Sequence, residues 1–174
     1  MEIRSENLKL KPLNKKDIEK SLKNVALFYK NNNLKSNEIK LSQLMEKIYN
    51  IKLINIQNNP QYYLFYTYWL IINNNTNEII GRIGFKDIPN QMGEIEIGYG
   101  THTNYRSKGF MTEALKAITN WGFNQSILPI KKIIAQTKED NIPSQKVLIK
   151  AGYVYKKQID KLYNFEIINK YSSI

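Results

Sequence analysis

The chain has 174 residues, a formal net charge of +11 and no cysteine. This length fits a single domain over residues 1–174 with a substantial core, and the lack of cysteine excludes disulfides, thiolate zinc sites and a cysteine nucleophile. No apolar run is long enough to cross a membrane and the N-terminus lacks an apolar signal core, so we expect a cytoplasmic protein without a membrane partner.

The positive charge raises the question of a nucleic-acid partner. Lysines are scattered along the whole chain among abundant Asn, Ile and Tyr. The sequence contains no contiguous basic helix and no aromatic-basic motif of the RNA-binding type. We therefore interpret the charge as a composition bias and expect no nucleic-acid partner, although a basic surface would still attract phosphate groups or an acidic protein.

The first half of the chain predicts a strand, two helices and a hairpin. Residues 7–13 alternate polar and apolar side chains before a proline, as an initial strand does. Residues 15–29 and 38–56 carry apolar side chains at helical spacing. Residues 62–72 are aromatic and β-branched, and after an asparagine-rich turn residues 78–85 return as the second strand of a hairpin.

The second half predicts a strand followed by a helix, then a strand, a helix and a closing hairpin. In chain order these elements cover residues 94–99, 108–123, 130–137, 140–151, 153–158 and 162–168. The first helix has a stripe of Met111, Leu115, Ile118 and Trp121, three to four positions apart. Strands, helices and strands again indicate one layered α/β sheet.

The turn from Arg106 to Met111 joins the strand at 94–99 to that helix. Gly109 allows the backbone to come close to a ligand there, and the unpaired N–H groups at a helix N-terminus attract anions. The turn therefore suggests a pyrophosphate site, while an ordinary strand–helix turn with one glycine remains the alternative.

Two stretches here carry a family resemblance. Glu96-Ile-Gly-Tyr99, followed by Tyr105-Arg-Ser-Lys-Gly-Phe-Met-Thr-Glu-Ala114, resembles the acetyl-CoA-binding core of the GNAT acetyltransferase superfamily, in particular the branch that contains ribosomal-protein N-terminal acetyltransferases. The superfamily turn is Q/R-x-x-G-x-G/A; Arg106 and Gly109 match it, and Met111 replaces the last small residue. The resemblance implies the GNAT fold, with a mixed, mostly antiparallel central sheet of about seven strands flanked by about four helices.

The resemblance also implies where acetyl-CoA binds. The pantetheine arm would lie in a V-shaped opening between residues 94–101 and 131–137. The residues implied to bind it through their backbone are Tyr99, Gly100 and Thr101, and the pyrophosphate turn comprises Arg106, Ser107, Lys108, Gly109, Phe110, Met111 and Thr112. Asn141 is implied to hydrogen-bond the pantetheine; a plain helix cap is the alternative, and the two roles are compatible. Gly98 and Gly100 predict either a β-bulge or a close ligand approach.

The implied chemistry is direct transfer of the acetyl group to a primary amine, without a metal. Glu96 is the candidate base, and a cross-strand ion pair is the alternative reading of this residue. Many GNAT enzymes have a tyrosine as thiol donor where this chain has Leu148. The ribosomal-protein branch points instead to Ser144, three residues after Asn141. Tyr153 and Tyr155 are weaker candidates.

Two further residues near the motifs are given structural roles. Glu113 is expected to be structural, and His102, the only histidine, to be structural or adjacent to coenzyme A. The acceptor implied by the resemblance is the N-terminal amine of a protein or peptide. A polyamine or aminoglycoside acceptor, or a CoA-binding module without turnover, are the alternatives, and homodimer formation is left open.

Overall fold

The structure is a computed structural model that describes residues 1–170, so residues 171–174 of the predicted domain lie outside the described part. The described part contains eight strands and five α-helices. The strands are β1 (Ile3–Arg4), β2 (Leu8–Pro12), β3 (Trp69–Asn73), β4 (Ile79–Phe85), β5 (Glu94–Thr101), β6 (Lys132–Lys138), β7 (Val154–Ile159) and β8 (Leu162–Ile168). The helices are α1 (Lys15–Asn31), α2 (Gln43–Asn58), α3 (Tyr63–Tyr66), α4 (Phe110–Asn124) and α5 (Ile142–Lys150).

All eight strands form one sheet in the order β1-β2-β3-β4-β5-β6-β8-β7. Every neighbouring pair is antiparallel except β5 and β6, which run parallel. The predicted mixed, mostly antiparallel sheet is therefore confirmed. A parallel pair needs a long crossover, and α4 supplies it between β5 and β6.

Two apolar clusters cover the two faces of the sheet. Trp69, Phe85 and Ile97 face α4, while Leu70 and Ile72 face α1 and α2. Neighbouring strand residues thus separate onto opposite faces, as the period of two requires. The predicted stripe of α4 is confirmed as well: its first three members are buried, and its fourth, Trp121, packs against Trp69 with ring centroids 5.0 Å apart.

The largest departure from the sequence prediction is the start of the third strand. Residues 60–66 form a 3-10 turn and the short helix α3, and β3 begins only at Trp69. Aromatic residues suit a strand or a buried helical turn equally, and packing decides between them. Here the Thr67 N–H donates to the Tyr63 carbonyl at 3.0 Å, which is the backbone hydrogen bond of a helical turn, and Leu64, Phe65 and Tyr66 are buried around it.

Two smaller differences concern counts and boundaries. Residues 3–4 add a short edge strand, β1, which accounts for the eighth strand. The second helix begins at Gln43 and not at residue 38, because the Ser42 hydroxyl accepts a hydrogen bond from the Met45 N–H and caps the helix there.

One buried lysine joins α2 to the sheet. Lys52 Nζ donates to the carbonyl oxygens of Tyr66 at 3.0 Å and Phe85 at 3.1 Å. Burial lowers the pKa of Lys52 to about 8, although the nearby Asp87 acts in the opposite direction. Among residues 1–170, no helix combines the length and apolar character needed to span a bilayer.

Candidate active site

An opening forms where β5 and β6 separate. Their parallel pairing runs from Glu94 opposite Lys132 to Ile97 opposite Ala135 and then stops. Beyond that point, within the described residues 1–170, β5 pairs only with β4 and β6 only with β8. The two strands therefore leave between them the V-shaped opening that the resemblance implied, with unpaired strand edges on both sides.

Backbone direction decides which residues of β5 face this opening. The Glu96 carbonyl accepts a hydrogen bond from Lys86 N at 2.9 Å, and His102 N donates to the Ile80 carbonyl at 2.9 Å. The backbone groups of Glu96 and His102 therefore point toward β4. Because backbone groups alternate along a strand, the N–H and C=O of Tyr99 and Thr101 point into the opening. The backbone of Gly100 points toward β4, and its contribution to the site is the absence of a side chain.

The predicted bulge at Gly98 and Gly100 is absent, since β4 and β5 pair without a register shift. Close ligand approach at Gly98 and Gly100 stays a prediction, and close packing of the two strands involves Gly81 of β4. A Cβ on Gly81 would lie 2.1 Å from the Gly100 carbonyl oxygen, so Gly81 keeps these strands close together. A Cβ on Gly100 would meet nothing within 4 Å, so the sheet face above Gly100 is open.

The turn before α4 has the form of an anion site. Gly109 occupies the N-cap position with φ of +83° and supplies no side-chain cap, so the first N–H groups of this helix keep their hydrogen-bonding capacity. Arg106, Ser107 and Lys108 are exposed around it. Met111 packs its side chain into the core, so only its N–H could contact a ligand. This arrangement fits a pyrophosphate.

Glu96 lies on the sheet face that carries α1 and α2. Lys86 is its cross-strand neighbour, and Lys86 Nζ forms an ion pair with Glu96 Oε1. The side chain of Glu96 is 30% exposed and that of Lys86 is 56% exposed, so solvent reaches both. The cross-strand pair proposed as the alternative reading of Glu96 is therefore present, and the carboxylate still borders the opening.

Ser144 lies on the opposite face, in the first turn of α5. Its Oγ is 2.9 Å from the hydroxyl of Tyr99. Asn141 caps the same helix by accepting the Ser144 N–H at 3.3 Å, so the cap reading of Asn141 is confirmed. This cap uses Oδ1, and Nδ2 of Asn141 is a donor that a ligand could use.

The side chain of Tyr99 was missed by the sequence analysis, which considered only its backbone. Burial raises the pKa of Tyr99 to about 12, even though the hydrogen bond with Ser144 acts the other way. Tyr99 is therefore a neutral hydroxyl at physiological pH. The alternation of β5 could have identified this side chain, because it places Tyr99 with Ile97 on the side of helix α4, opposite Glu96.

The other candidate proton donors are less well placed. Leu148 is fully buried and cannot donate. The Tyr153 hydroxyl lies 2.8 Å from Thr119 Oγ1 in the core, and burial raises its pKa. Tyr155 packs edge-on against Tyr163 on the outer strands.

Arg82 forms a polar cluster that the sequence analysis did not identify. It lies opposite Gly100 in the sheet and forms a buried ion pair with Glu38 of the loop before α2. Its Nε donates to the Tyr49 hydroxyl at 2.9 Å, its Nη2 donates to the Tyr29 hydroxyl at 2.5 Å, and its Nη1 is 3.4 Å from His102 Nε2. The sequence could have indicated this cluster, because a single arginine inside the apolar run IIGRIGF needs buried partners.

Glu113 has the structural role expected of it, and His102 lies beside Arg82, while a position of His102 next to coenzyme A stays a prediction. Burial, and then the charge of Arg82, lower the pKa of His102, which favours a neutral ring beside the arginine. Glu113 accepts the Asn7 N–H at 2.7 Å and Asn7 Nδ2 at 3.1 Å, so it ties α4 to the chain just before β2. Within residues 1–170, no three His, Cys, Asp or Glu side chains come together as a metal site would require.

The chain is similar to known acetyltransferases in sequence and in fold. Residues 7–154 match the family model described as acetyltransferase (GNAT) domain. The N-acetyltransferase YjdG of Bacillus subtilis (strain 168), itself described as uncharacterized, is 36% identical over 86 residues, which is 49% of this chain and 50% of that protein. The chain thus spans about half the length of the curated relatives it matches.

Solved structures share the fold at low sequence identity. The ribosomal-protein-S5-alanine acetyltransferase from Vibrio fischeri superposes with a TM-score of 0.71 at 20% identity, over 98% of this chain and 98% of that one. RimL, a ribosomal L7/L12 alpha-N-protein acetyltransferase, in complex with coenzyme A, has a TM-score of 0.67 at 15% identity, over 97% and 98%.

Proposed function

This chain belongs to the GNAT acetyltransferase family, and we propose that it is an acetyl-CoA-dependent N-acetyltransferase whose acceptor is the N-terminal amine of a protein or peptide. One observation carries the proposal. The opening between β5 and β6 has a carboxylate, Glu96, on one face and a hydroxyl pair, Ser144 and Tyr99, on the other. Such a site can take a proton from an amine on one side and give a proton to a thiolate on the other.

The residues around the opening fit acetyl-CoA, which supplies the acetyl group as a thioester. The exposed turn from Arg106 to Gly109 and the uncapped start of α4 would hold the pyrophosphate. The outward backbone groups of Tyr99 and Thr101 would pair with the pantetheine amides as a neighbouring strand does. Asn141 caps α5, which follows β6, through Oδ1, and its Nδ2 would add a further donor.

Each reacting group has a stated role. Glu96 accepts the proton of the acceptor amine, directly or through water. The N–H of Tyr99 is the first one beyond the last β5–β6 pair that points into the opening, so it would stabilise negative charge on the carbonyl oxygen. Ser144 donates a proton to the departing sulfur, and Tyr99 positions Ser144 and can replenish that proton.

The charges on the acceptor side favour a peptide amine. Glu96 is paired with Lys86, and Glu38 is paired with Arg82, so both carboxylates already have a cation. A polyamine or an aminoglycoside would need several carboxylates without such partners. An N-terminal α-amine, with a pKa near ~8, also needs less help from a base than a lysine near ~10.4.

A free-thiol release assay tests this proposal across N-terminal peptides, polyamines and aminoglycosides. We expect turnover with peptides, and Glu96→Gln should lower kcat by about a hundredfold or more while calorimetry shows unchanged CoA affinity. Turnover only with polyamines or aminoglycosides would replace the acceptor assignment. CoA binding without turnover of any amine would favour the binding-module alternative.

A further inference from the structure

Lys86 lies beside Glu96, the carboxylate proposed as the base for the acceptor amine. It directly follows the last paired residue of β4, and its N–H bonds to the Glu96 carbonyl, so its side chain projects on the same face as Glu96. A Cβ built on Gly98 would lie 3.8 Å from Lys86 Cε. The lysine side chain therefore extends over Gly98, beside the point where β5 and β6 separate.

The Lys86 ammonium group resembles the proposed acceptor in its chemistry as well as in its position. It is a primary amine, its Nζ contacts the carboxylate that we assign as base, and more than half of the side chain is exposed. A lysine in an ordinary surface ion pair has no thioester site next to it. Here the neighbouring strand edge, at Tyr99, is the proposed place of the acetyl group.

We propose that Lys86 is an autoacetylation site, acetylated by this protein within the same chain when no external acceptor is bound. The inference rests on the proposed function, because it needs acetyl-CoA in the opening and Glu96 as base. Holding both reactants next to each other makes the transfer unimolecular, and such placement can correspond to effective concentrations of about 10⁵ M or more.

The step balances without a further reactant. The Lys86 ammonium transfers a proton to Glu96, and the neutral Nζ attacks the thioester carbonyl carbon of acetyl-CoA. The C–N bond forms, the C–S bond breaks with its electron pair on sulfur, and the nitrogen loses a second proton. The thiolate takes up one proton, so the products are N-acetyl-lysine, CoA thiol and one proton released to solvent.

Acetylation would also change the site itself. It converts the ammonium of Lys86 into a neutral amide and removes the ion pair with Glu96. After acetylation, Lys86 no longer competes with the external amine for the Glu96 carboxylate.

Lys156 is a matched control within the chain. Its Nζ lies 3.3 Å from Glu166 Oε1 in another cross-strand ion pair, and its side chain is 48% exposed, close to the 56% of Lys86. It lies on β7, at the edge of the sheet and away from the opening. Chemical acetylation by acetyl-CoA alone would therefore modify both lysines at similar rates.

The test incubates the purified protein with acetyl-CoA and no acceptor, and follows both lysines by peptide mass spectrometry. We expect Lys86 to be acetylated at least about tenfold faster than Lys156, with a first-order rate that does not change when the protein is diluted. Glu96→Gln should slow Lys86 acetylation about a hundredfold and leave Lys156 unchanged. Lys86→Arg keeps the positive charge for the ion pair and should abolish the addition at this position.

The outcomes separate this inference from the proposed function. Equal rates at the two lysines, or a rate that depends on protein concentration, would overturn intramolecular acetylation. Turnover of peptide acceptors with an unmodified Lys86 would overturn the inference and leave the proposed function in place. No binding of acetyl-CoA by calorimetry would overturn both.

Discussion

The contact between Tyr99 and Ser144 provides the sharpest test of the proposed chemistry. If Ser144 gives a proton to the thiolate, Ser144→Ala should lower kcat by about a hundredfold, which is the lower range for general acid catalysis. Tyr99→Phe leaves the serine in place and removes only its partner at 2.9 Å. Such a hydrogen bond has a net value of about 1 kcal/mol, which corresponds to about a fivefold decrease in kcat.

The double variant decides whether the two hydroxyls act together. If Tyr99 acts only through Ser144, adding Tyr99→Phe to Ser144→Ala should cause no further decrease in kcat. The assay is steady-state thiol release at saturating acetyl-CoA, with CoA affinity from calorimetry and thermal unfolding as controls. An undiminished fivefold effect of Tyr99→Phe in the alanine background would show that the tyrosine acts independently. Full kcat in Ser144→Ala would remove the serine from the mechanism.

Three further changes test the surroundings of the site. Gly100→Ala should fold normally and slow turnover, because its methyl group enters open space on the acceptor face. Gly81→Ala should lower the free energy of unfolding by about 1–3 kcal/mol, because its Cβ would meet the Gly100 carbonyl oxygen at 2.1 Å. Chemical denaturation and thiol release measure both variants. Arg82→Met leaves the Glu38 carboxylate without its buried cation and should lower the free energy of unfolding by about 3–5 kcal/mol, measured in urea. Burial lowers the pKa of Lys52 to about 8. Between about pH 8 and pH 10.4 the unfolded state therefore holds a proton on Lys52 that the folded state has lost. The free energy of unfolding of the wild-type protein, measured relative to Lys52→Met, should rise by about 3 kcal/mol over this range and stay level below it. A flat difference between the two proteins would contradict a buried lysine with a lowered pKa.

Most of the secondary structure could be predicted because it depends on near neighbours. The alternation of β5 and the apolar stripe of α4 repeat every two or every three to four residues, and both were found where the sequence indicated. Asn141 acts through its own turn, so its cap position could also be predicted locally. The segment at residues 60–66 could not, because aromatic side chains fit either a strand or a helical turn.

The pairs that give the site its chemistry depend on the tertiary structure. Tyr99 and Ser144 are 45 positions apart, Arg82 and Glu38 are 44 apart, and Lys86 and Glu96 are 10 apart. The sequence identified Glu96 and Ser144 as candidates, but not their partners. Whether two such side chains meet depends on strand register and on how each helix packs on the sheet, and a shift of one residue in register would turn a side chain to the other face. The sequence by itself therefore determined most of the strands and helices, the Asn141 cap and the family resemblance, whereas folding alone determined which polar groups came within hydrogen-bonding distance.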